Sequence, residues 1–133
     1  MSLEKLKIMA KEAANKAYAP YSKFRVGSAL ITKSGNVYSG CNVENASYGL
    51  TTCAERNAIA NAISAEGEIE ISQLVVYTPT EKATPPCGAC RQVIYEFTRD
   101  ATIHSYCDSE ETATLKINEL LPGAFDFEEN KEK

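Results

Sequence analysis

The chain has 133 residues, 44% of them hydrophobic and 24% charged, with a net charge of −4. This is the make-up of one globular domain with enough chain to bury a core, and it excludes a disordered or disulfide-stapled class. The acidic balance offers no clustered Lys and Arg for a polyanion, so no nucleic-acid partner is expected.

Leu3, Leu6, Ala10, Ala13 and Ala17 recur at helical spacing. They predict an amphipathic helix ending before Pro20, with Ser2 as its N-cap. Residues 26–32 and 37–41 read as strands, and Ser34-Gly35-Asn36 between them is turn chemistry, so a hairpin is expected. Residues 42–52 are polar and contain Gly49, which predicts a loop. Residues 53–65, rich in Ala, Glu, Arg and Ile, favour a helix. Residues 71–78 are β-branched and apolar, as in a central strand. Thr84-Pro85-Pro86 interrupts the chain, helical spacing resumes over 88–98, and 101–107 reads as another strand. A short helix over 116–121 is stopped by Pro122. Residues 1–127 form the expected domain and 128–133 a charged, frayed tail. Strands alternating with helices after a hairpin imply a mixed sheet with helices on both faces.

The first residues lack the apolar core of a signal peptide, and no apolar run approaches the ~18 residues of a membrane span. A cytoplasmic location without membrane partners is expected. In a reducing compartment five cysteines read as metal ligands, catalytic groups or small buried hydrophobes.

Three of them form a pattern. Cys53-Ala54-Glu55 opens one predicted helix, and Pro86-Cys87-Gly88-Ala89-Cys90 opens another. A helix N-terminus carries partial positive charge, which favours the thiolate that metal binding needs. Three thiolates can hold Zn²⁺, one ion per chain, and leave the fourth tetrahedral position for water, as catalytic sites do. Glu55 is then the candidate to move that water's protons. A C-x-x-C pair alone would fit a redox motif or a structural module equally well. A closed structural site, with Cys41, Cys107 or His104 as fourth ligand, is the competing arrangement. Three thiolates around a dication leave one excess negative charge. Arg56 is the candidate to offset it by donating hydrogen bonds to the sulfurs. Cys41 and Cys107 otherwise read as buried structural thiols, and His104, the lone histidine, as structural.

The chain resembles the short, three-cysteine, homotetrameric type of cytidine deaminase. The resemblance rests on the stretches 21–27, 40–48, 52–56, 86–92 and 119–125, which run in the family's order. The wider zinc-deaminase class has histidine at the first ligand position; here Cys53 stands there. The family implies a three-layer α/β/α fold with a mixed, about five-stranded sheet. It implies hydrolysis of cytidine and deoxycytidine to the uridines and ammonia, in pyrimidine salvage, with Glu55 as the proton carrier. It also implies that Phe24 packs on the pyrimidine, that Asn42 and Glu44 bind the ribose hydroxyls, and that the Ala54 backbone meets the base's polar edge. Tyr48 and Phe125 match positions contributed by neighbouring subunits. The segment 103–107 is more polar than the family's late strand, and 49–51 follows no fixed family pattern. A deaminase of a related nucleoside such as blasticidin S is the nearest alternative; the sugar-reading segment 42–45 and the ending 120–125 favour cytidine.

Overall fold

Neighbouring residues on a strand point to opposite sides of a sheet, so an apolar run needs cover on both faces. The structure, a computed structural model describing residues 2–127, supplies that cover. Its elements in chain order are α1 (Leu3–Ala14), β1 (Gly27–Thr32), β2 (Val37–Cys41), a 3-10 turn (Tyr48–Leu50), α2 (Ala54–Glu66), β3 (Ile71–Tyr77), α3 (Gly88–Glu96), β4 (Thr102–Tyr106), β5 (Thr112–Lys116) and α4 (Ile117–Leu120).

The sheet has five strands in the order β2-β1-β3-β4-β5. β1 pairs antiparallel with both β2 and β3, β3 runs parallel to β4, and β5 returns antiparallel to β4. The parallel pair requires a crossover, and α3 provides it. On one face Leu30, Leu74 and Ile103 pack against Ala58, Ile59 and Ala62 of α2 and Ile94 of α3. On the other, Ala29, Val75 and Tyr77 pack against Leu6, Ala10 and Ala14 of α1. The pairs Ala29/Leu30 and Leu74/Val75 show the alternation directly. The chain therefore has the expected three-layer α/β/α fold with a mixed sheet.

Two glycines set how closely the helices approach. A Cβ on Gly27 would lie 1.8 Å from the Ala10 carbonyl oxygen of α1. A Cβ on Gly40 would lie 2.4 Å from the Ala58 backbone nitrogen of α2. Backbone meets backbone at both points, so no side-chain adjustment relieves a methyl group there. The far end of α2 is fastened to the hairpin turn. Glu66 accepts hydrogen bonds from Tyr38 Oη at 2.8 Å, Asn36 Nδ2 at 2.9 Å, Ser34 Oγ at 2.9 Å and Thr32 Oγ1 at 3.2 Å.

Several expectations shift in detail. α1 stops at Ala14, where Asn15 caps it, so Ala17 packs from the following turn. Cys53 and Cys87 are N-caps, each one residue ahead of its helix. β5 was not expected; Thr112, Thr114, Leu115 and Lys116 are exposed, so the strand lacks the apolar signal that burial imposes. The polar late strand has a cross-strand explanation. His104 bonds Gln73 Oε1 of β3 at 3.0 Å and Thr114 Oγ1 of β5 at 3.2 Å. Burial, with Lys7 nearby, lowers its pKa, as suits a structural imidazole. Cys107 is buried as expected, but Cys41 is only partly buried. The expected tail, residues 128–133, lies outside the described residues. Among the described residues no helix is long and apolar enough to cross a membrane.

Two predictions follow from this packing. Gly40→Ala should lower stability by about 1–3 kcal/mol in urea unfolding, the usual cost of forcing an atom into a packed contact. The hydrogen bond from Tyr38, then that from Asn36, hold the Glu66 carboxyl below its ordinary value. Its stabilising effect is therefore complete above the unfolded pKa of about 4.3 and lost as pH falls through the lower folded value. Glu66→Gln should lower Tm at pH 7, and the difference from the parent chain should shrink as pH falls below about 4.

Candidate metal centre and active site

Two helix starts meet at one end of the sheet. Cys53 caps α2, Cys87 caps α3, and Cys90 lies in the first turn of α3. An N-cap side chain and the residue three positions on approach each other across the first turn, which brings Cys87 beside Cys90. The Sγ atoms of Cys53, Cys87 and Cys90 all lie within 4.8 Å of one another. Among the described residues this is the only such group of metal-ligating atoms. Cys41, Cys107 and His104 are not in it, so the closed four-ligand arrangement has no support.

One thiol of the group is drawn toward the thiolate. The hydrogen bond from Cys90, then Arg56, bring Cys53 down to about 5. Cys90, which keeps its proton in that pair and is buried, is pushed up. Arg56 Nη2 lies 3.6 Å from Cys53 Sγ and donates to the Thr51 carbonyl at 3.5 Å. Its Nε is buried and has no hydrogen-bond acceptor. A buried guanidinium nitrogen left unsatisfied on the side chain that meets Cys53 suits a site that takes on negative charge, as three thiolates around a dication would. The donor set fits zinc.

Glu55 follows in the first turn of α2 and is only 5% exposed. Burial, against a backbone hydrogen bond that opposes it, pushes its carboxyl up to about 7, and the Cys53 charge adds to the rise. Glu55 and the three cysteines line a cavity of about 480 Å³. Phe24, Asn42 and Ala54 line it too. Asn42 is held in place by its own side chain, which accepts from the Val26 N–H at 2.9 Å and donates to the Phe24 carbonyl at 2.8 Å. One amide hydrogen and one carbonyl lone pair remain for a ligand.

Glu44 lies beside this cavity rather than in it, and Tyr48 and Phe125, expected to serve neighbouring subunits, lie outside it. Glu44 borders an adjoining hollow of about 380 Å³ shared with Tyr21, Ser22, Tyr48 and Thr51. Its carboxylate accepts from the Tyr21 and Ser22 N–H groups at 3.0 and 3.1 Å and from the Ser22 hydroxyl. The Ser22 hydrogen bonds hold its pKa below the usual carboxylate value. Tyr48 is 76% exposed and meets only the edge of Tyr21 among ring contacts. Phe125 is 68% exposed and stacks edge-on with Phe127. Neither reaches the cavity of its own chain.

Residues 1–106 match the family model described as the cytidine and deoxycytidylate deaminase zinc-binding region. The chain belongs to the cytidine and deoxycytidylate deaminase family. Within it, the chain is 46% identical to the cytidine deaminase of Sporosarcina psychrophila, over 97% of this chain and 95% of that protein. It is 42% identical to the probable cytidine deaminase of Dictyostelium discoideum, over 96% of this chain and 86% of that protein. The crystal structure of cytidine deaminase from Burkholderia pseudomallei superposes with a TM-score of 0.89 at 42% identity, covering 94% of this chain and all of that one. In this deaminase fold the cavity is also lined by Thr51, Val76, Thr78 and Arg91, to which the sequence reading gave no role. The end of the expected strand 71–78 was a signal for Val76 and Thr78, since ligands gather at strand ends. For Arg91, which bonds the Pro86 carbonyl five residues back and the remote Leu120 carbonyl, there was none.

Cys87→Ala should drop zinc from one ion per chain to a small fraction, measured by elemental analysis after dialysis against a weak chelator. Stoichiometric zinc in that variant would remove Cys87 from the ligand set.

Proposed function

We propose that the chain catalyses hydrolytic deamination of cytidine and deoxycytidine to uridine and deoxyuridine, releasing ammonia. The observation that carries this is the buried Glu55 beside the three-thiol group, on the wall of a cavity that Phe24 and Asn42 also line. Zinc, when bound, supplies the Lewis acidity that makes water nucleophilic near neutral pH. Glu55 accepts the water's proton and delivers it to N3 of the cytosine ring as the water oxygen bonds to C4; it then moves the remaining hydroxyl proton to the amine, whose bond to C4 breaks to release ammonia. One carboxylate thus serves as base and then acid, which requires a pKa near working pH and hydrogen-bond reach to both partners. Its position about 7 meets the first requirement.

The other roles are assigned by the family resemblance. Phe24 packs on the pyrimidine face, Asn42 and Glu44 hold the ribose hydroxyls, and the Ala54 backbone meets the base's polar edge. Arg56 offsets the excess negative charge of the thiolates, a role supported by its approach to Cys53. We assign Tyr48 and Phe125 to the sites of neighbouring subunits in a homotetramer. Their exposure supports this: two large aromatics held away from their own core are available to a partner. A cytoplasmic role in pyrimidine salvage accords with this chemistry, with residues 1–127 as the deaminase domain.

Glu55→Gln should keep one zinc per chain while cytidine turnover, read as loss of cytidine's ultraviolet absorbance, falls about 10²–10⁴-fold. Unchanged turnover would remove Glu55 from the proton path. Preference for blasticidin S, assayed beside cytidine on the parent chain, would move the substrate assignment to that class.

A further inference from the structure

We infer that Arg91 is a positioning residue for the metal centre: its guanidinium pins the backbone ahead of Cys87 and thereby controls how long zinc is retained. The inference rests on the reading of Cys53, Cys87 and Cys90 as zinc ligands.

Cys87 is the least supported of the three thiols. Cys90 is buried and Cys53 is partly covered, but Cys87 is exposed. No side-chain hydrogen bond caps α3 at Cys87. The chain reaches it through Thr84-Pro85-Pro86. Proline has no N–H, so two consecutive prolines leave that approach without backbone donors of its own. It can be tethered only through its carbonyls, its side chains and its packing.

Arg91 takes the carbonyl. Its Nε donates to Pro86 O at 2.7 Å, one residue before the ligand. Its Nη1 donates to Leu120 O at 2.9 Å, at the end of α4. Helical side chains lean toward the N-terminus, which brings the Arg91 side chain back over the turn that holds Cys87 and Cys90. The guanidinium is therefore a strut between the ligand-bearing turn and the C-terminal segment. A planar fork of donors can serve two carbonyls in fixed directions, whereas a lysine ammonium offers a single rotating point. Pro86 is fully buried, so displacement there is passed on to Cys87 rather than absorbed by solvent.

The next residue provides a comparison. Gln92 Nε2 donates to the Phe125 carbonyl at 3.0 Å, which ties α3 to the same C-terminal segment without touching the proline turn. A strut that acts through Pro86 separates the effects of these two neighbours.

The test is the rate at which zinc leaves the purified, zinc-loaded full chain for a chromogenic chelator. Arg91→Ala should release zinc about 10–100-fold faster than the parent chain, the usual scale for losing support around a metal ligand. Arg91→Lys should fall between the two, and Gln92→Ala should stay within about twofold of the parent. Far-UV circular dichroism before chelation checks that each variant is folded; if Arg91→Ala is not, the Arg91→Lys comparison decides. Parental release rates in both Arg91 variants would overturn the proposal while leaving the ligand assignment standing. Equal acceleration in Gln92→Ala would overturn it in favour of general loosening of α3. A rise in KM for cytidine with unchanged zinc release would instead place Arg91 on the substrate. A parent chain that holds no zinc would overturn both the proposal and the reading beneath it.

Discussion

The convergence of two helix N-termini is the constraint on which the rest of this molecule depends. α2 and α3 approach one point so that their capping cysteines share a ligand sphere. Each helix brings a partial positive end to a place where negative charge must collect. The sheet exists in the arrangement needed to hold those ends there. β3 and β4 run parallel because α3 connects them, and α2 lies against β2 at Gly40, where no side chain intervenes.

Electrostatics around that point are uneven, and the unevenness suits the chemistry. The hydrogen bond from Cys90, then Arg56, draws Cys53 toward the thiolate, while burial draws Glu55 toward the neutral acid. Two groups at one helix start are thus shifted in opposite directions, one toward its charged form and the other toward its neutral form. A site that must hold a cation and also shuttle protons needs both conditions within a few ångströms. The alternation of Ala54, Glu55 and Arg56 along the first turn of α2 lets each side chain face a different part of the cavity wall or the ligand group.

Much of this was legible in the residues. The hairpin, β3, α2 and α3 have strong periodicity and clear punctuation, and they appear within a residue or two of expectation. The metal group was legible because cysteines at two helix starts have few other uses. What was hidden is of another kind. β5 is an exposed edge, and its residues carry no burial signal because they are not buried. Cys41 looked like a core thiol by type, yet its strand is at the sheet's edge, where cover is partial. Glu44 was expected to share the ribose with Asn42 only because the family resemblance implies it. The Tyr21 and Ser22 N–H groups and the Ser22 hydroxyl hold its carboxylate in the adjoining hollow. Such long-range hydrogen bonds have no local pattern to announce them.

The paired prolines before Cys87 have a further consequence. A Pro-Pro step is stiff in the unfolded chain as well as the folded one, so ordering this turn sacrifices little conformational freedom. The cores on both faces of the sheet, the Gly40 contact and the Glu66 clasp all form from protein atoms alone. The chain's cores thus lie apart from its ligand group, unlike in small zinc modules whose only core is the ion.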